Sequence, residues 1–359
     1  MKSRATATAR WGRALLAGIA VLTIHGPVHA ATAGRASPPR GIWIAPDSLA
    51  ALPTTGPAWE RLRCAARQPI LQPRLDDQND PANGIVLAKA LVATRLDDGT
   101  LRGEVRAAIA AVVGTEAGGR TLSLGRKLVT YVIAADLVGL PPDQDATFRA
   151  WLRRVLDERL DGKTLRTTHE KRPNNWGTHA GASRAAVAVY LGASDELART
   201  AQVFKGWLGD RTAYAGFEFG NLSWQFDPAH PVGVNPAGAT RDGHSIDGVL
   251  PDDQRRHDGF AWPPPPENYV YEALQGALAQ AVILDRAGYH DVWKWSDSAL
   301  LRAYLWLQEQ ANYPAVGDDV WQLPVVDHFY GTSFWNGNPV TPGKNVGWTD
   351  WTHATRGAR

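Results

Sequence analysis

The chain is 359 residues long, 44% apolar and 21% charged, with one cysteine and a formal net charge of +2. A lone cysteine excludes an internal disulfide, so stability has to come from one large apolar core. The near-zero charge balance excludes the broad basic surface that a nucleic-acid binder needs.

The first thirty residues read as a secretory signal peptide. Lys2, Arg4, Arg10 and Arg13 form a basic head, and Ala14 to Ile24 form an apolar run too short for a membrane anchor. Val28-His29-Ala30 offers the cleavage site, with the cut expected after Ala30. Arg10 and Arg13 are not adjacent, so a twin-arginine route is not indicated. Without the leader, 34 basic residues face 36 acidic ones, a formal −2. The basic isoelectric point therefore belongs to the leader. Residues 31–40 are expected to be a disordered lead-in, 41–353 the catalytic domain and 354–359 a tail. The mature protein is expected to be a secreted or periplasmic monomer with no membrane partner.

Past the leader, apolar residues recur at three- and four-residue steps, as at Leu128, Val132, Ala135 and Leu137. Helices are predicted over Trp59–Arg67, Ile85–Arg95, Arg102–Val113, Ser123–Leu137, Ala146–Leu160, Trp176–Leu191, Asp195–Leu208, Tyr269–Ala287 and Ser296–Ala311. Cys64, in the first of these, reads as a buried, inert thiol. Strands are predicted only over Ala213–Trp224 and Gln322–His328. Helix following helix in this way gives an all-α class. Paired helices in an incomplete α/α toroid fit better than a regular solenoid, because no repeat of fixed period is present. Residues 221–266 and 317–353, crowded with Gly, Pro, Trp and charged groups, read as long functional loops.

The densest chemistry lies in Arg172-Pro-Asn-Asn-Trp-Gly-Thr-His179. Pro173 suits a first helical turn and an Asn beside it can cap the free N–H groups, although capping accounts for one Asn better than for two. If the helix has begun by Asn175, then His179 shares its face one turn on. An amide and an imidazole aimed at one spot suit chemistry on a carboxylated sugar.

Gly41-Ile-Trp-Ile-Ala-Pro46, Asn174-Asn175-Trp176-Gly177, Asp242-Gly-His-Ser-Ile-Asp-Gly248, Pro251-Asp-Asp-Gln-Arg-Arg256, Tyr269-Val-Tyr-Glu-Ala-Leu274 and Gly343-Lys-Asn-Val-Gly-Trp-Thr-Asp-Trp-Thr-His353 carry a family likeness. Over residues 41–353 the chain resembles the alginate-lyase-like polysaccharide lyases, α/α-toroid enzymes that cleave uronate polymers. The resemblance implies an Asn pair with a following His, then an Arg, then a Tyr opening a helix. Asn174, Asn175 and Tyr269 fit position by position. The chain departs from the pattern at Trp176, which stands where the His is usual, so His179 or His244 would have to replace it. A Pro-rich insertion also separates Arg255 and Arg256 from Tyr269.

Eliminative cleavage needs the uronate carboxylate neutralised, a base for the C5 proton and an acid for the departing O4. Asn amides and an Arg fork can meet the first need. A Tyr or His can meet the others, and a Tyr beside an Arg can serve as either. The candidate catalytic residues are Asn174, Asn175, His179, His244, Arg256 and Tyr269. Candidate substrate-binding residues are Trp176, Arg241, Arg255, Tyr271, Lys344, Asn345, Trp348 and His353. Tyr269 and Tyr271 face different sides of their helix, and the resemblance implies that Tyr269 is the one in the cleft. Trp43, Trp224, Trp262 and Trp351 are either stacking platforms or core. No ligand set of metal-site spacing is present, so neither metal nor cofactor is expected. The rivals are a glycoside hydrolase using paired carboxylates among Asp242, Asp247 and Glu272, and a non-catalytic polysaccharide binder.

Overall fold

The computed structural model describes residues 40–354. The proposed signal peptide, nearly all of the lead-in, and all but the first residue of the tail lie outside that range. The chain is all-α. Its helices are α1 (Pro46–Ala51), α2 (Pro57–Ala66), α3 (Ala82–Leu96), α4 (Gly99–Val112), α5 (Thr121–Val138), α6 (Pro142–Val155) and α7 (Leu165–Lys171). They continue with α8 (Asn175–Leu191), α9 (Ser194–Trp207), α10 (Pro251–Gln254), α11 (Asn268–Arg286), α12 (Trp295–Leu305), α13 (Gln322–Tyr330) and α14 (Thr349–Thr352). Among the described residues the only strands are β1 (Thr240–Arg241) and β2 (His244–Ser245), an antiparallel pair. No described helix is long and apolar enough to cross a membrane.

Two kinds of helix follow from the sequence pattern. Helices α5, α8 and α11 are apolar or small-residued around most of their circumference, and all 18 residues of α5 are buried. A helix without a polar face has to lie inside. By contrast α6 and α9 carry charged outer faces and bury only a stripe, such as Phe148, Trp151, Leu152 and Val155. The buried row runs α3–α5–α8–α11, and further contacts pass through α13 and α14 back to α2 and α3.

Neighbours within the buried row are parallel, because their contact positions advance together. Thr130 and Leu137 of α5 accept from Asn83 and Thr94 of α3. Ser183 of α8 donates to the Gly125 carbonyl of α5 at 2.7 Å and accepts from Val129 N–H at 3.0 Å. Gly276 and Gln280 of α11 meet His179 and Gly181 of α8. The N-terminal ends of all four helices therefore gather at one end of the domain, each bringing roughly half a positive charge of helix dipole. Glycines permit this closeness. A Cβ on Gly276 would run into the backbone of Thr178 and His179, and one on Gly125 would stand 3.0 Å from Ala180 N. Gly276→Ala is accordingly expected to lower stability by about 1–3 kcal/mol, seen as an earlier thermal midpoint. An unchanged midpoint would mean that α8 and α11 are not in backbone contact.

Some expectations are corrected. Residues Gln322–His328 are helical, within α13, because Pro324 sits in the first turn, where its missing N–H is harmless. The β-branched pair Val325-Val326 gave the strand-like signal but is simply buried. Residues 213–224 are irregular chain bounded by turns, with Phe217 packed edge-to-face against both Tyr214 and Phe219 rather than alternating across a sheet. Cys64 is exposed, because it falls on the outer side of α2 while Trp59, Leu62 and Ala66 face inward.

Candidate active site

Asn174 is the N-cap of α8. Its Oδ1 accepts from Trp176 N–H at 3.2 Å, while its Nδ2 donates to Asp252 Oδ2 at 2.9 Å. Capping therefore uses Asn174 and leaves Asn175 without that role. Asn175 N–H donates to Asp253 Oδ1 at 3.2 Å, so the short α10 clamps the start of α8 through two adjacent carboxylates. Asp252 Oδ1 also accepts from Arg255 Nε at 2.9 Å and from Gly220 N–H at 3.0 Å.

That clamp positions the 3₁₀ turn Arg255–His257 beside α8. Arg256 Nη2 donates to Asn175 Oδ1 at 3.1 Å, and its guanidinium carbon lies 4.0 Å above the Tyr269 ring. The Pro-rich insertion does not separate these groups, because it folds back on itself. Gln254 Nε2 donates to Pro265 O at 3.0 Å, and Glu267 caps α11 by accepting from Tyr269 N–H at 3.0 Å. Asn175, Arg256 and Tyr269 thus come from three separate segments and meet at the N-terminal ends of α8 and α11. Tyr269 is 42% exposed, whereas Asn175 is fully buried with Nδ2 lacking a partner among the described residues. Arg256 Nε is likewise unpartnered. A buried donor without an acceptor is costly unless something arrives to use it. Burial drives the Asp253 carboxyl well above its usual range against the pull of Arg256, which weakens its claim on the guanidinium charge.

One turn deeper on α11, Glu272 is held between Arg126 of α5 and Lys344 of the C-terminal loop, and its Oε2 is 3.8 Å from His179 Nε2. Burial alone would raise this carboxyl, but His179, Arg126 and Lys344 outweigh it and hold it down to about 2. Burial also brings the fully enclosed His179 down to about 4. The imidazole shares a flank with Asn175 but faces the core. Beside Lys344 opens a cavity of about 440 Å³, walled by Asn79, Asn83, Lys127, Asp318 and Trp348 among others.

Residues 112–217 match the alginate lyase family model. Over that stretch the chain is similar to the alginate lyases, a likeness that supports polysaccharide lyase activity in general. The match covers the Asn174–His179 segment and stops short of Arg256 and Tyr269. Among curated proteins there is no match to the chain.

The other residues singled out in the sequence fall elsewhere. Trp176 lies against Lys163 and Arg172. His244 is not a free turn residue. It sits in β2 and stacks on Trp262 at 4.3 Å, while Arg241 donates to Gln225 O and covers Phe260. Tyr271 is buried with its hydroxyl on Tyr313 O at 2.8 Å, because two residues along a helix turn it to the core side. Asn345 is fully buried and spends its amide on Gln275 O and Val346 N–H. His353 lines a different cavity, with Trp43, His328 and the C-terminal end of α11. Trp43, Trp224 and Trp351 are core. Sequence reasoning missed Asp252, Asp253 and Arg126. The Pro-Asp-Asp pattern at a short helix start was the available signal for the first two. Among the described residues no group of three or more His, Cys, Asp or Glu is arranged to hold a metal ion.

Proposed function

We propose that this lyase is exported as a monomeric, incomplete α/α toroid and cleaves an acidic uronate polysaccharide, such as alginate or glucuronan, by β-elimination. The observation that carries the reading is the Asn175–Arg256–Tyr269 contact at the converging helix ends. Asn175 Nδ2 and Arg256 bind the uronate carboxylate and stabilise charge as it grows there. The Tyr269 phenolic oxygen takes the C5 proton. The C5–H electron pair becomes the C4=C5 double bond, the C4–O4 bond breaks, and the same phenol returns the proton to O4. Assigning both transfers to Tyr269 follows from exposure: His179 is enclosed, and His244 is stacked in the hairpin.

The hydrolase alternative is weaker. Glu272, held at about 2 between two cations, is a poor proton donor, and Asp247 is taken up by Arg302 and Gly238 N–H. Adding alginate, glucuronan and pectate separately to purified protein should produce the ultraviolet absorbance of the new double bond with at least one of them. Reducing ends without that absorbance would sink the lyase reading. Asp242→Asn and Asp247→Asn are expected to keep activity within about threefold, the range of substitutions away from the reacting groups; collapse in either would favour the hydrolase.

A further inference from the structure

Lys127 is an unusual cation. It lies near the N-terminal end of α5 with 2% exposure, and its ammonium is hydrogen-bonded to the Asp80 backbone carbonyl. Among the described residues it joins no ion pair. The nearby Asp80 carboxylate is committed to the Ala82 and Arg74 N–H groups at 3.0 and 2.8 Å. Burial brings the amine down to about 8, with Asp80 pulling the other way, so it remains protonated at neutral pH but poorly solvated. The Asp80 and Asp77 carboxylates act on the ammonium without forming an ion pair with it, so the buried charge is only partly compensated. That makes an arriving anion the natural partner.

The space beside it is suited to one. The 440 Å³ cavity is within the range of small-ligand sites. Trp348 forms a wall, held in place by a left-handed backbone (φ 63°) and an indole N–H on Gly84 O at 3.2 Å. A non-glycine residue kept in that conformation is a mark of a site held to a fixed shape. Lys344 forms the boundary with the reaction centre, since its ammonium meets Glu272, one helical turn from Tyr269. Asp318, the acidic group on the wall, is already 3.4 Å from Lys344.

We infer that the cavity between α3, α5 and the Lys344 loop binds a second uronate residue of the polymer, with Lys127 taking its carboxylate and Trp348 covering its ring. This rests on the lyase reading and narrows the substrate class to chains in which uronates are close neighbours.

The test is calorimetric titration of the Tyr269→Phe protein, which holds substrate without turning it over, with a uronate tetrasaccharide and a neutral tetrasaccharide. Lys127→Met is expected to weaken the uronate tetramer about tenfold or more, the usual weight of a charged hydrogen bond, and to leave the neutral one unchanged. Lys127→Arg should retain most of the affinity. Asn79→Glu, an exposed change on the cavity wall that leaves the fold alone, should weaken only the acidic ligand. In the active protein Lys127→Met should raise KM with kcat preserved. Tetramer affinity within twofold of the parent for both Lys127→Met and Asn79→Glu overturns the inference, and if the Met variant does not fold, Asn79→Glu decides. Active enzyme with Lys127-independent binding sinks the cavity alone. Lys127-dependent binding without any unsaturated product sinks the lyase reading alone.

Discussion

Tyr269→Phe is expected to lower kcat on uronate polymer by about 10³-fold, within the range of about 10²–10⁴ for loss of a general acid–base group. The effect should lie towards the upper part of that range, since one phenol performs both proton transfers. KM should change little. Arg256 contacts the face of the ring and not its hydroxyl, and a Phe ring offers the same face. The variant should therefore bind and stall. A variant retaining more than about a tenth of wild-type kcat would remove Tyr269 from the chemistry, because no acid–base residue is worth so little.

Glu272→Gln is expected to have the largest effect on stability. It leaves Arg126 enclosed, and Lys344 beside it, without their shared carboxylate, a loss of about 3–5 kcal/mol for breaking a buried pair. The thermal midpoint should fall on the order of 10 °C. The pH dependence carries its own signature. The folded-state value of about 2 lies below the ordinary 4.5, so the folded protein binds fewer protons on this group than the unfolded chain. The stabilisation is complete above about 4.5 and disappears as pH falls through about 2. A shift of that size is worth on the order of 3 kcal/mol. Stability curves of wild type and Glu272→Gln, measured by denaturant titration, should differ by a constant above pH 5 and converge towards pH 2. Parallel curves down to pH 2 would mean that the carboxylate is not held by its neighbours.

The long inner helices were legible because apolar residues recur along them at three- and four-residue steps, as at Leu128, Val132, Ala135 and Leu137. Their parallel arrangement was not legible, since it depends on single-atom approaches at Gly125, Gly181 and Gly276 that no periodicity encodes. At the site, residue order along the chain carried Asn175 and Tyr269. It could not choose between Arg255 and Arg256, which are alternatives within one turn, and the choice is made by geometry: Asp252 engages Arg255, leaving Arg256 for Asn175 and Tyr269. The spacing of Asn175 and His179 correctly gave one flank of α8. It could not foresee that α11 packs so closely there that only the end of that flank faces the opening. Glu272 looked like a candidate acid because its two cations come from residues 126 and 344, far off in sequence.

The Lys344 loop joins the two extremes of the domain. Asn83, on the first inner helix, donates to the carbonyls of Lys344 and Asn345, and Thr130 also donates to Asn345 O. Such distant pairings form late when a chain is made from its amino end, after most of the local helix contacts. A growing or prematurely terminated polypeptide could carry Asn175, Arg256 and Tyr269 and still lack the Lys344 segment that walls the opening and compensates Glu272. Competence to cut would then arrive in a single step, once the segment around Lys344 has been made and docked.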